Sequence, residues 1–235
     1  MEIPFIVIHY NIVEGKSKVK KLHFPKCFAT IKSKKDRRRE KMENNFYSMV
    51  LRMKYVDRWG LMRNTWKENL SVHSLDVAVL AHALAVIGNK RLGKQYDVQK
   101  TALLAIFHDT SEIITGDLPT PVKYYSDTIR QAYKQVEYAA NERLMELLPE
   151  DLRTEYDDFF HPKEEDAALW KLVKGADKLS ALIKCIDEEN AGNREFSVAK
   201  EAQLTALHAM ECEEVDIFLN EFLSGFTKTL DEQQG

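Results

Sequence analysis

A chain of 235 residues with 44% hydrophobic side chains allows one ordinary domain with a substantial core, and no segment reads as both long and apolar enough to span a bilayer, so a soluble protein is expected. Its cysteines, Cys27, Cys185 and Cys212, are odd in number and form no CxxC pair. They suit reduced thiols in a cytoplasmic protein better than a disulfide framework, and any metal would fall to histidines and carboxylates.

The net charge of −3 hides two materials. Residues 1–41 hold twelve Lys/Arg and four Asp/Glu, a net of +8, against −11 for residues 42–235. A run such as Lys34-Lys35-Asp36-Arg37-Arg38-Arg39 could tether the chain to a polyanion or an acidic membrane surface. Met1–Val13 is apolar but lacks the positive start and small-residue cleavage site of a secretory signal. The favoured reading is different: Arg37–Lys41 fits purine-rich codons like a ribosome-binding site, Met42 follows, and 1–41 is expected to be irregular or an artefact of start-site choice.

From Met42 the pattern is helical. Asn44 or Asn45 caps a helix over Phe46–Val56, ending near Arg58-Trp59-Gly60, with a polar connection over Leu61–Leu70. Ser71 opens a helix to about Ile87, closed at Gly88-Asn89; it is apolar on nearly every side and belongs at the centre of a bundle. His73 and His82 lie on it nine residues apart, which at about 100° each puts them on opposite faces. His73 is the ligand candidate, and His82 a core or edge histidine.

Asp97 caps the next helix, whose apolar run Thr101–Phe107 delivers His108-Asp109, with Glu112 four residues after His108 and Asp117 just past Gly116. A histidine and three acids drawn out of water call for a cation. Gly116-Asp117-Leu118-Pro119-Thr120-Pro121 reads as a rigid extended loop, followed by Lys123, that serves either as a substrate platform or as a linker. Ser126 or Asp127 caps a helix to Leu148 whose buried stripe is Ile129, Ala132, Tyr133, Val136, Ala140, Leu144 and Leu147. Leu152–Phe160 is a short helix, and His161 an exposed loop residue. Glu164–Asn190 is a long helix ended by Gly192, with Asp177 at a core-facing register that needs a metal or an ion pair with Lys174 or Lys178. A last helical stretch covers Ser197–Leu223 and ends at Gly225.

Together His73, His108, Asp109 and Asp177 offer two imidazoles and two carboxylates, a set for a divalent transition metal such as Co²⁺, Mn²⁺, Fe²⁺ or Ni²⁺ in preference to Mg²⁺. The order H…HD…D resembles the HD-domain superfamily of metal-dependent phosphohydrolases. More specifically, Arg58–Asn64, Glu68–Ser74, His108–Glu112 and Thr115–Lys123 are similar to the bacterial 5′-deoxynucleotidases, over roughly Asn45 to Leu230.

That resemblance implies an all-α HD-domain bundle with the metal site at its centre, in a cytoplasmic homodimer that hydrolyses deoxyribonucleoside 5′-monophosphates and binds neither nucleic acid nor membrane. It implies metal ligation by His73, His108, Asp109 and Asp177, with His73 and Asp177 also bordering the substrate. Arg58 would orient phosphate, Trp59 lie against the sugar, and Asp117, Leu118, Pro119 and Thr120 contact the nucleotide, with Lys123 nearby. Glu112 and Asp117 would handle protons, with Arg58 offsetting charge on the transferring group. Rival readings are a deoxynucleoside triphosphohydrolase, a cyclic-nucleotide phosphodiesterase, or a non-catalytic nucleotide-binding HD domain.

Overall fold

The computed structural model describes residues 44–123 and 125–234, all within the second of the chain's two units, Glu43–Gly235. The expected extension 1–41 and Cys27 lie outside the described residues. Helices α1 (Phe46–Val50), α2 (Leu70–Arg91), α3 (Val98–Phe107), α4 (Glu112–Thr115), α5 (Thr120–Lys123) and α6 (Asp127–Met145) are followed by α7 (Glu150–Phe160), α8 (Ala167–Asn190), α9 (Ser197–His208), α10 (Glu213–Glu221) and α11 (Leu230–Gln234). Among the described residues the extended pairing is a single antiparallel bridge, Asp57 with Asn69. The fold is all-α.

The core forms where α2 packs on α3, α8 and α10, and α8 on α9. Leu80, Leu84 and Ile87 of α2 meet Leu104 of α3, Leu172, Val173, Ala176 and Leu179 of α8, and Val215 of α10. A second cluster, Phe46, Leu144, Met145, Leu148 and Phe160, joins α1, α6 and α7. Contrary to the composition reading, α2 is long and apolar enough to cross a bilayer, with mean hydropathy 1.8 over its best window. Here that apolarity goes largely into protein contacts, since Leu70, Val77, Leu84 and Ala85 are fully buried.

Several boundaries shift for physical reasons. Helix α2 starts at Leu70, because Asn69 rather than Ser71 is the cap, accepting from Ser71 N and Val72 N. It also runs through Gly88-Asn89 to Arg91. Gly88 is no terminator: a Cβ there would lie 2.5 Å from Cε2 of Tyr96, so glycine is required for close packing. The first helix is α-helical only to Val50 and continues as a 3₁₀ turn over Leu51–Tyr55. The stretch 197–223 breaks after His208, with Glu211 at φ 47°.

The stripe expected on α6 is buried only at its C-terminal end. Ala140 and Leu144 are covered, while Ile129 and Val136 are 37% and 52% exposed; over that earlier part of the helix Tyr133 meets Thr115 of the short α4 and Glu137 meets Lys123 of the short α5. Pro121 falls in the first turn of α5, where a missing N–H is tolerated, so the extended loop is confined to Asp117–Pro119. His161 is half-buried, pairing with Asp157 at 2.8 Å and Glu142 at 2.7 Å.

Candidate metal centre

Four elements converge on one point. Asn69 caps α2 and sets His73 in its first turn, facing inward and fully buried. Helix α3, capped at Asp97, ends at Phe107, so His108 and Asp109 occupy the turn beyond it. Asp177 projects from the middle of α8, which packs on both α2 and α3.

Ligand atoms of His73, His108, Asp109 and Asp177 all lie within 4.8 Å of one another. His73 Nε2 is 3.2 Å from Asp177 Oδ1 and 3.5 Å from Asp109 Oδ2, and His108 Nε2 is 3.1 Å from Asp109 Oδ2. Asp177 therefore pairs with His73 rather than with a lysine of its own helix.

The outer nitrogens are already engaged. His108 Nδ1 bonds the Ala105 carbonyl at 2.7 Å and His73 Nδ1 bonds Ser180 Oγ at 3.2 Å. Because a carbonyl only accepts, Nδ1 of His108 carries a proton, and Nε2 is the nitrogen turned toward the cluster. Both Nε2 atoms are buried without a hydrogen-bond partner. Inward-facing, unpartnered Nε2 atoms, fixed outer bonds and two carboxylates make a ligand set that fits a divalent cation. These four residues form the divalent-metal-binding site at the centre of the bundle.

The surrounding charges show the same demand. Burial works against ionised carboxyls, yet His108 and His73 hold Asp109 well below the usual carboxylate range, and His73 lowers Asp177. Glu112, buried at the start of α4, is only partly offset by the charges of Arg58 and Lys123. Burial, then the charges of Asp109 and Asp117, push it up to about 9. Burial disfavours the Arg58 guanidinium as well, but Asp177, Glu68, Asp109 and Asp117 keep it charged. Its NH1 reaches Asp109 Oδ2 at 3.4 Å and its Nε donates to Glu68 Oε1 at 2.8 Å.

The structure thus brings Arg58, His73, His108, Asp109, Glu112 and Asp177 together, with the Asp117 charge close enough to act on both Arg58 and Glu112. Gly116, at φ 74°, turns the chain out of α4 into half-buried Asp117, Leu118 and Pro119 and exposed Thr120. Trp59, half-buried at φ 59°, sets its ring 5.3 Å from that of Phe196. Lys123 is drawn aside: it donates to Glu137 on α6 at 2.8 Å and lies over the Tyr133 ring. His82 is exposed on the far side of α2.

Two participants escaped the sequence reading. Ser180 could have been found, since it lies three residues after Asp177 on the same helix face. Glu68 could not, because a partner ten residues from Arg58 across an irregular connection has no periodic signature.

Known proteins resemble this chain in sequence and in fold. The family model described as 5′-deoxynucleotidase YfbR-like matches residues 45–226. The 5′-deoxynucleotidase of Vibrio cholerae is 45% identical over 190 residues, covering 81% of this chain and 98% of that protein. One from Photorhabdus temperata is 45% identical over 193 residues, covering 80% and 96%.

Among solved structures, an HD-domain phosphohydrolase from Listeria innocua has TM-score 0.69 at 20% identity, covering 81% of this chain and 92% of that one. The cyanophage S-2L HD phosphohydrolase, bound to dA and one catalytic Zn²⁺, has TM-score 0.57 at 18% identity, covering 77% and 96%. These two likenesses concern the fold. With a family match across nearly all the described residues and close relatives covered almost end to end, the chain belongs to the YfbR-like 5′-deoxynucleotidases.

Proposed function

We propose that the protein is a metal-dependent 5′-deoxynucleotidase that hydrolyses deoxyribonucleoside 5′-monophosphates to deoxynucleoside and phosphate. The observation that carries this reading is the inward-facing His73, His108, Asp109, Asp177 set with the Arg58 guanidinium 3.4 Å from Asp109. Mixed nitrogen and oxygen donors favour a transition metal such as Co²⁺ or Mn²⁺, and the Zn²⁺ of the cyanophage protein is of the same kind. Once bound, such an ion supplies Lewis acidity toward a phosphoryl oxygen and toward water.

The chain's own groups do the rest. Arg58, held on one edge by Glu68, turns its remaining N–H donors to phosphate oxygens. Glu112 and Asp117 divide the proton work, one placing and deprotonating the attacking water and the other serving the leaving 5′-oxygen. The Asp117–Thr120 segment borders the nucleoside, and Trp59, braced by Phe196, lies against the sugar. A ring at C2′ admits a methylene and leaves an added hydroxyl without room or partner.

The test is kcat/KM on dAMP and AMP. Trp59→Ala should shrink the dAMP preference by about 10- to 200-fold, the value of one hydroxyl left unpaired. Arg58→Ala should depress both substrates alike, by about 100- to 1000-fold. An unchanged ratio in Trp59→Ala would move the discriminator to the Asp117–Thr120 segment.

A homodimer belongs to the same proposal. On α2 the apolar residues Val72, Leu75 and Val79 are 48%, 63% and 61% exposed, and their alternating spacing of three and four continues through exposed His82 to Val86. That spacing is the seam of a two-helix contact, and a second copy of α2 supplies its match. Val79→Glu should halve the sedimenting mass; wild-type protein sedimenting as a monomer would refute the pairing. Cytoplasmic location and action free of membrane and nucleic acid complete the reading, supported by free buried Cys185 and Cys212 and by the −11 of residues 42–235.

A further inference from the structure

The connection that carries Arg58 and Trp59 is closed on itself. Around the Asp57–Asn69 bridge, Arg58 N donates to Glu68 O at 2.9 Å and Leu70 N to Val56 O at 3.0 Å. This register sets Arg58 beside Glu68, and the side chains repeat the pairing. Arg58 Nε donates to Glu68 Oε1 at 2.8 Å, while the indole Nε1 of Trp59 donates to Oε2 at 3.3 Å. The carboxylate also lies 3.5 Å from His73 Nδ1, and Glu68 is only 8% exposed.

A buried carboxylate that spends one oxygen on each of two donors fixes those donors relative to each other. With Nε taken by Glu68 and NH1 near Asp109, the guanidinium cannot swing about its own axis without breaking a charge-assisted bond. The indole, pinned by its N–H and backed by Phe196, cannot tilt freely either.

We infer that Glu68 is the positioning residue for both phosphate and sugar recognition: its two oxygens lock Arg58 and Trp59 into one unit beside the metal ligands. The inference rests on the roles proposed above for Arg58 and Trp59. Its consequence is a coupling that neither of those residues shows alone. Loss of Arg58 lowers the rate and loss of Trp59 loosens the sugar choice, whereas loss of the Glu68 carboxylate does both. A merely structural acid would alter stability, or slow both substrates equally, and leave the sugar choice intact.

Glu68→Gln tests this at nearly constant volume, because an amide keeps one acceptor and turns a donor toward the other partner. In the metal-loaded enzyme, kcat/KM for dAMP should fall about 10- to 100-fold, as for other groups that orient a metal site. The dAMP:AMP ratio should fall toward that of Trp59→Ala, with metal content per chain unchanged. The indole N–H resonance of Trp59, identified as the one missing from Trp59→Phe, should shift. Trp59→Phe replaces the indole with a smaller aromatic ring that has no donor; it too should lose selectivity, and adding Glu68→Gln to it should lower the rate without lowering the ratio further.

An unchanged dAMP:AMP ratio in Glu68→Gln, an unmoved indole resonance or a loss of metal each overturns the inference. Arg58→Ala and Trp59→Ala serve as controls. If they leave rate and ratio untouched, the roles assigned to them have failed and the inference falls with them, even though the resonance still reports the lock. If they behave as stated while Glu68→Gln leaves ratio and resonance in place, the lock alone has failed.

Discussion

Asp177→Ala is expected to lose bound metal and phosphate release together while its helical ellipticity stays that of the wild type. Asp177 supplies one of four inward ligand atoms, and its neighbours His73 and Asp109 cannot move to replace it, being fixed on α2 and on the turn after α3. Equivalent losses are expected for His73→Ala, His108→Ala and Asp109→Ala. Glu112→Gln should separate the two properties. Its carboxyl is buried beside the cluster but is not one of the four, so the variant should keep metal and lose turnover by about 100- to 10,000-fold. Metal analysis alongside a phosphate-release assay decides the matter: a metal-free Asp177→Ala protein with full activity would sink the assignment, and metal loss in Glu112→Gln would make that residue a ligand.

The second large effect lies away from the metal. Glu188 on α8 is fully buried and accepts from Thr65 N at 2.9 Å, from Asn193 Nδ2 at 2.8 Å and from Lys184. Lys184, itself 5% exposed, also donates to the Trp66 carbonyl at 2.9 Å and sits against the Trp66 and Phe196 rings. Glu188→Ala would leave that ammonium buried and unpaired, so a destabilisation of about 3–5 kcal/mol is expected. Urea unfolding monitored by ellipticity measures it; a change below about 1 kcal/mol would mean that water replaces the carboxylate.

The pH dependence has a defined sign. Burial alone would raise the Glu188 pKa, but hydrogen bonds from Lys184, Thr65 and Asn193 outweigh it and hold the group at about 2, below the ordinary 4.5. A folded pKa below the unfolded one stabilises above the unfolded value and is lost as pH falls through the folded one. The stability gap between wild type and Glu188→Gln should therefore be full at about pH 7 and narrower at about pH 3.

What the sequence disclosed follows the range of the forces involved. Asp97 was legible as a cap, and Ser126 as one of two candidates with Asp127, because a cap bonds an amide only three residues away, as Asp97 and Ser126 do here. The four ligands were legible because acids and histidines within apolar helices have few other uses. Gly88 misled because its cause is a Tyr96 ring on another segment, invisible to any local rule. Ile129 and Val136 misled because a periodic stripe states which face could be buried and not whether a partner arrives. The break at Glu211 carries no glycine or proline signal at all.

Trp59 occupies backbone geometry that a bulky L-residue adopts at a cost of roughly 1–2 kcal/mol, and that glycine adopts freely. The strain is borne because the indole packs on Phe196 and bonds Glu68, and a glycine that relieved it would erase the ring that the proposed mechanism uses to tell one nucleotide from another. Position 59 is thus where backbone comfort and discrimination pull in opposite directions, and a library of strain-relieving glycine substitutions built on this scaffold should hold it fixed.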